Sequence, residues 1–382
     1  MLKTSDIPKK SLALHKKLRG KISVVTKASI KTPEDLSLIY SPGVGAASLA
    51  IVKDQSQVDA LTWRRNTVAV ISDGSAVLGL GNIGPSAALP VMEGKAAIFK
   101  RFTNIDAIPI VLSTQNTEEI ITTIKSIAPS FGAIQLEDIS APRCFEIEER
   151  LSEMLNIPIM HDDQHGTAII ALAGLLNATK LTKRKDLGSV RIVLNGAGAA
   201  GTAIARLLLV AGFTDIIVCD RAGIIWRGRP DLNEEKKKLS AITNRSKIKG
   251  SLSDALIGAD VFIGISSAGA LTSDMVHTMA KNPIIFALAN PVPEILPDVA
   301  RKAGAAVVAT GRSDFPNQLN NALCYPGLFR GMLDKRVSRV TDEIKLRAAK
   351  ALAGFIKNPT SDRIVPNMFE KGLHEAMAKS VK

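Results

Sequence analysis

Cysteine is scarce: the 382 residues hold three, Cys144, Cys219 and Cys324, widely separated and with no C-x-x-C pair. That excludes a disulfide framework and points to a reducing compartment, so a cytoplasmic protein is expected. Aromatic residues make up only 4% of the chain, including two tyrosines. So few rings do not supply a stacking platform for single-stranded nucleic acid, and no helix-turn-helix signature is present. The net charge of +13 is therefore not read as a nucleic-acid footprint. Lysine and arginine are spread along the chain, which suits a general attraction for anionic metabolites. Long hydrophobic runs are also missing. The longest reach about half of a membrane span, so neither a transmembrane helix nor a membrane partner is expected. The basic N-terminus (Lys9, Lys10, Lys16, Lys17, Arg19) lacks the apolar core and cleavage site of a secretory signal.

The remainder is ordinary globular material, 46% hydrophobic and 22% charged, in a length that suits two domains. Residues 1–66 read as mixed, with a helix at Ser11–Leu18, a strand at Lys21–Val25 and a Pro-Gly loop at Tyr40–Gly45. From Val68 a regular alternation begins. Strands are predicted at Val68–Ile71, Ile108–Leu112, Ala133–Leu136 and Ile157–Met160, with helices at Ala87–Phe102, Thr117–Ala128 and Pro142–Leu155. A helix at Gly166–Thr179 leads to a second run, with strands at Arg191–Leu194, Ile216–Cys219, Val261–Ile265, Ile284–Leu288 and Ala306–Ala309. The tail, Thr341–Lys382, reads as helical. Strands alternating with helices define an α/β protein with two parallel-sheet domains, placed at 1–162 and 163–382, the second of Rossmann type.

The stretch that organises the chain is His161-Asp162-Asp163-Gln164-His165-Gly166-Thr167, an acidic turn between a predicted strand and a long helix. Some ~25 residues earlier, Glu137-Asp138 ends another predicted strand. Ligands bind at the carboxyl ends of parallel strands, and carboxylates from two loops suit a hard cation, Mg²⁺ or Mn²⁺. A helix cap would account for one of these acids but not for the cluster.

Gly196-x-Gly198-x-x-Gly201 follows a strand and opens a helix, with Ala199 and Ala200 inside the turn and Asp220 about 20 residues on. In that context it is a dinucleotide fingerprint. Asp220 favours NAD by holding ribose hydroxyls, whereas Arg221 beside it could hold a 2′-phosphate, so NADP stays open.

Lys95 shares a helix face with Val91, Ile98 and Phe102. An amine rising from an apolar face either snorkels to water or serves as a base whose pKa burial and a nearby cation lower. Tyr40 in its Pro-Gly loop is a proton donor or a packing residue. Asn290 and Asn320-Asn321, at a strand end and in a loop, either hydrogen-bond a ligand or make ordinary turns.

Taken together, the motifs Tyr-Ser-Pro-Gly-Val (40–44), Ser-Asp-Gly-Ser-Ala-Val-Leu-Gly-Leu-Gly-Asn-Ile-Gly (72–84), Val-Met-Glu-Gly-Lys-Ala (91–96), Gln-Leu-Glu-Asp-Ile (135–139), His-Asp-Asp-Gln-His-Gly-Thr-Ala (161–168) and Arg-Ser-Asp-Phe-Pro-Asn-Gln-Leu-Asn-Asn (312–321) resemble the bacterial malic enzymes. The resemblance runs in order from about Leu12 to beyond Arg330, without the phosphotransacetylase-like extension of longer relatives. It implies oxidative decarboxylation of L-malate to pyruvate and CO₂ with NAD or NADP, Mg²⁺ or Mn²⁺, in a homodimer or larger homo-oligomer. By match, Tyr40 would be the general acid, Lys95 the general base and Asp162 its neighbour. Glu137, Asp138 and Asp163 would be metal ligands, and Asn290 and Asn320 would meet substrate and nicotinamide.

Ile39, Ser41 and Ser266-Ser267-Ala268-Gly269 depart from the family pattern. Ser75-Ala76 stands where larger relatives use an arginine, which leaves the holder of the substrate carboxylate unassigned. Two other readings differ in what they require. A malolactic-type enzyme would release lactate, and a non-catalytic NAD-binding regulator would lack the acids or Lys95.

Overall fold

Most strands form where three to six largely apolar residues run together, and several stop where the chain turns acidic or reaches glycine. The computed structural model describes residues 6–382, and the strands it describes make two sheets. The first contains β1 (Thr67–Ser72), β2 (Asp106–Val111), β3 (Ala133–Leu136) and β4 (Ile159–His161), all parallel in the order β2-β1-β3-β4. Every residue of β1 and β3 is buried, as expected for parallel strands covered on both faces. The second contains β5 (Arg191–Asn195), β6 (Asp215–Asp220), β7 (Gly223–Ile224), β8 (Val261–Gly264), β9 (Ile284–Ala287) and β10 (Val307–Thr310). Its order is β10-β9-β8-β5-β6-β7, parallel except for the two-residue β7. The chain leaves β5 in one direction for β6 and returns on the other side as β8. That reversal opens a crevice beyond the strand ends, where a Rossmann sheet binds its ligand.

Between the sheets runs the helix Asp162–Leu181, apolar on all sides and mostly buried. It begins four residues earlier than the sequence suggests, directly after β4. Asp162 and Asp163 therefore occupy its first turn, where the helix dipole favours carboxylates. The strands of the two sheets fall within residues 67–161 and 191–310, and the tail packs back on the first part of the chain. The helix Tyr325–Lys335 returns to the helix Pro85–Thr103, where Phe99 meets Tyr325 and Phe329 edge-on at 4.8 and 5.4 Å between centroids. Phe99 is fully buried there, worth roughly 1.5–3 kcal/mol. The rest of the tail forms two helices, Asp342–Phe355 and Leu373–Ser380. Pro359 and Pro366 lie in the stretch between them.

The predicted strand Lys21–Val25 does not form. Val24 and Val25 are 88% and 79% exposed, with no sheet edge to join. Nearby, the chain forms two unanticipated helices, Pro33–Ile39 and Val44–Lys53, neither with a buried residue. Taken as one stretch, Pro33–Lys53 spans 21 residues, and its most apolar 18-residue window has a mean hydropathy of 1.4. The break at Tyr40–Gly43 leaves helices of 7 and 10 residues, each too short to cross a bilayer.

Candidate active site

Parallel pairing puts Leu136 opposite His161, so the two acidic turns leave β3 and β4 side by side. Glu137, Asp138 and Asp163 bring one carboxylate oxygen each to within 4.8 Å of one another. Asp138 takes a left-handed backbone (φ +54°) and donates its N–H to Asp163 Oδ2 at 2.8 Å. Its own Oδ2 is buried and has no partner. Burial and the neighbouring carboxylates, chiefly Asp163, push Asp138 up to about 7. Burial, together with Asp163, Asp162 and Asp138, also raises Glu137 despite Lys95 beside it. Buried carboxylates that crowd together retain protons unless a cation replaces them. The orphaned oxygen and the all-oxygen donor set fit a hard divalent ion.

Lys95 points into the same cluster. Its Nζ lies 2.5 Å from Asp162 Oδ2 and 2.9 Å from Glu137 Oε1, and the side chain is 15% exposed. Here the expected lowering of its pKa is reversed. Burial lowers it, but Asp162 and Glu137 outweigh burial and hold the amine well above its usual value. Gly166, one turn after Asp162, makes this possible, since a Cβ there would sit 2.0 Å from Asp162 Oδ1.

The structure adds three residues to this picture: Asn321, read in the sequence only as half of an amide pair, and Tyr325 and Glu294, which the sequence did not single out. Asn321 Nδ2 donates to Asp162 Oδ2 at 3.2 Å, and the Tyr325 ring lies 4.7 Å from Lys95 Nζ. Glu294, fully buried, accepts from the N–H groups of Ser266 and Ala289 and so ties the ends of β8 and β9 together. The Asn-Asn doublet and the rarity of tyrosine were available signals for the first two. Glu294 carries none, because its role exists only once the two strands are adjacent.

A cleft of about 740 Å³ opens over Lys95 and the three acids, and Asn290 and Asn320 line it. Asn320 also caps the following turn through Ala322 N at 2.8 Å. Tyr40 does not line this cleft. It ends the helix Pro33–Ile39, 68% exposed, because nothing among the described residues packs that helix against the sheet. Within one chain, the phenol beside Lys95 is that of Tyr325.

A second cavity of about 950 Å³, lined by Gly196, Gly198, Asp220 and Arg221, meets the first at Ile265 and Ser266. The helix Ala199–Val210 starts there from Gly198, presenting its N-terminus to an anion. Ala200 faces the first cleft. Gly201 has to be glycine, since a Cβ would stand 1.9 Å from Gly196 O.

Asp220, expected to be free for ribose, is already occupied. Its Oδ1 accepts from Arg229 Nη1 at 2.9 Å and Ala222 N at 3.0 Å, and its Oδ2 from Arg229 Nη2 at 2.5 Å and Lys236 Nζ at 2.6 Å. Burial works against ionisation, but these bonds win and draw Asp220 down to about 2. Arg221 is exposed at the cavity wall. All three cysteines are buried and free, and burial pushes Cys144 and Cys219 up to about 12, which leaves them inert as nucleophiles.

A Rossmann sheet, a glycine turn at a helix N-terminus and, in the adjoining cleft, a lysine among four carboxylates define a two-domain, dinucleotide-dependent oxidoreductase. Residues 19–152 match the malic enzyme N-terminal domain and residues 164–371 the malic enzyme NAD-binding domain. The chain belongs to the malic enzyme family, oxidoreductases that decarboxylate malate oxidatively with NAD or NADP. It is 52% identical to the bifunctional malic/malolactic enzyme of Bacillus subtilis, over 98% of this chain and 92% of that one. It is 49% identical to the NADP-dependent malic enzyme of Rhizobium meliloti, over 94% of this chain and 47% of the other. The crystal structure of the NAD-dependent malic enzyme of Thermotoga maritima superposes with a TM-score of 0.95 at 49% identity, covering 97% of this chain and 98% of that one.

Proposed function

We propose that Glu137, Asp138 and Asp163 hold Mg²⁺ or Mn²⁺ beside malate, with Lys95 as base, and that the dinucleotide lies across the Gly196–Gly201 turn. The observation that carries this reading is the approach of Lys95 Nζ to Asp162 and Glu137 at the edge of the three-acid cluster. When bound, the cation supplies Lewis acidity to the substrate oxygens and the nicotinamide takes up hydride. Lys95 removes the hydroxyl proton, and a cation held by Glu137, Asp138 and Asp163 would offset the carboxylate charge that keeps the amine protonated. Asn290 and Asn320 orient substrate and nicotinamide through their amides.

Asp163→Asn keeps the side chain's shape and deletes a charged oxygen. Mn²⁺ affinity, followed by electron paramagnetic resonance, should fall roughly tenfold or more, with turnover lost and circular dichroism unchanged. Normal turnover at ordinary Mn²⁺ would remove Asp163 from the ligand set.

The protein would work in the cytoplasm, where its three free thiols persist, and as a homodimer. A second copy is the occupant we assign to the bare apolar surface of Pro33–Lys53, where Leu38, Leu49 and Val52 are 69–73% exposed. On this reading Tyr40 is the general acid of the partner's site and protonates the enolate carbon left after CO₂ departs.

Nucleotide choice follows from the state of Asp220. Arg229 and Lys236 neutralise its charge, so a 2′-phosphate meets no bare carboxylate and both nucleotides should be used. A spectrophotometric assay with malate, Mn²⁺ and each nucleotide tests the function directly, and product analysis covers the malolactic reading that the Bacillus subtilis relative supports. Lactate without accumulating NADH would decide for the latter. In Lys236→Glu, kcat/KM for NADP should fall at least about tenfold relative to NAD. An unchanged ratio would exclude Lys236, and a reversal by Arg221→Ser instead would assign the 2′-phosphate to Arg221.

A further inference from the structure

Malate brings two carboxylates into a cleft that already carries three, so its binding calls for positive charge beyond that of Lys95. Lys95 is committed to Asp162 and Glu137. Only one other lysine lines the cleft among the described residues, and no arginine does. That lysine is Lys21, which lies in the segment first read as a strand.

Its placement is built rather than incidental. The backbone N–H of Lys21 donates to Glu93 Oε2 at 3.0 Å, and its Nζ donates to Pro90 O at 2.5 Å. Both acceptors belong to the helix that carries Lys95. A Cβ on Gly94 would stand 3.8 Å from Lys21 Nζ, so the ammonium rests beside the residue that precedes Lys95. No carboxylate oxygen lies within the 4.0 Å of an ion pair. The residue is half-buried, where pairing with an anion is screened less than at an open surface.

We infer that Lys21 is the counter-ion for the substrate carboxylate that is retained in pyruvate. The choice between the two carboxylates follows from the chemistry. An ammonium on the departing group would stabilise it as a carboxylate and oppose loss of CO₂. On the retained group it holds substrate and product alike and leaves the bond-breaking step alone. This inference rests on malate being the substrate of this cleft.

The test is Lys21→Met, with Lys21→Arg as the conservative control. Both keep the backbone contact to Glu93. In Lys21→Met, KM for malate should rise roughly tenfold to a hundredfold, with kcat changed by no more than about threefold. The dissociation constant of pyruvate, measured by calorimetry on the Mn²⁺-loaded protein, should rise by a similar factor. That of 3-hydroxybutyrate, which has a carboxylate but not the retained one, should not move. Lys21→Arg should recover most of the loss. Unchanged malate KM and pyruvate affinity would overturn the assignment, and so would an equal loss for 3-hydroxybutyrate or for the nucleotide, which would mark a loosened fold. Failure of the unsubstituted protein to turn over malate would overturn the substrate reading, and this assignment with it.

Discussion

In Lys95→Ala, malate oxidation falls by roughly 10²–10⁴ while decarboxylation of supplied oxaloacetate keeps a much larger share of its rate. General acid–base catalysis contributes on that order, and among the described residues no other amine pairs with the acid cluster. Oxaloacetate has a keto group where malate has a hydroxyl, so its decarboxylation offers no proton for the amine to remove. The substitution also strips the counter-charge from Asp162, fully buried, and Glu137, 2% exposed. Leaving a buried charge unpaired costs about 3–5 kcal/mol, so some loss of stability is expected. The ratio of the two partial activities in one preparation is unaffected by how much of it is folded, and that ratio is the measurement to make. An equal fall in both, with Mn²⁺ affinity retained, would mean that Lys95 holds substrate rather than moving a proton.

The second large effect separates one chain from two. Tyr40→Phe and Lys95→Ala should each be nearly inactive alone. Dissociated together and reassembled, they should recover about one quarter of normal activity. Random pairing in a two-fold dimer makes half the dimers mixed, and each mixed dimer has one site with Lys95 from one chain and Tyr40 from the other. The partner site lacks both. If Tyr40 served its own chain, every site in the mixture would lack one group and nothing would return. Full activity in Tyr40→Phe, with loss in Tyr325→Phe, would transfer the proton-donor role to the phenol that already touches Lys95. The apolar residues flanking Tyr40 supply the reason to expect a second chain. Leu36, Leu38, Val44 and Leu49 are 42–70% exposed on helices with no buried residue, too much apolar surface to leave in water without a partner.

The sequence by itself determined the parts of the protein that depend on local pattern. Buried parallel strands read as short apolar runs, so nearly every strand of both sheets was legible, and so was the Gly196–Gly201 turn at the head of its helix. The acids at Glu137-Asp138 and Asp162-Asp163 stood out because each pair follows a strand, and β3 and β4 pair in parallel. Lys21–Val25 misled because an apolar alternation makes a strand only where a sheet edge accepts it, and none is there. Tertiary structure alone decided the electrostatics, because charge interactions depend on distances that chain order does not encode. Lys95 looked like an amine with a lowered pKa on an apolar face, until Asp162, 67 residues away, was found 2.5 Å from it. Asp220 looked like a free ribose acid until Arg229 and Lys236 filled its acceptor positions. Tyr40 looked like part of the site, and only the fold left it 68% exposed and outside the cleft.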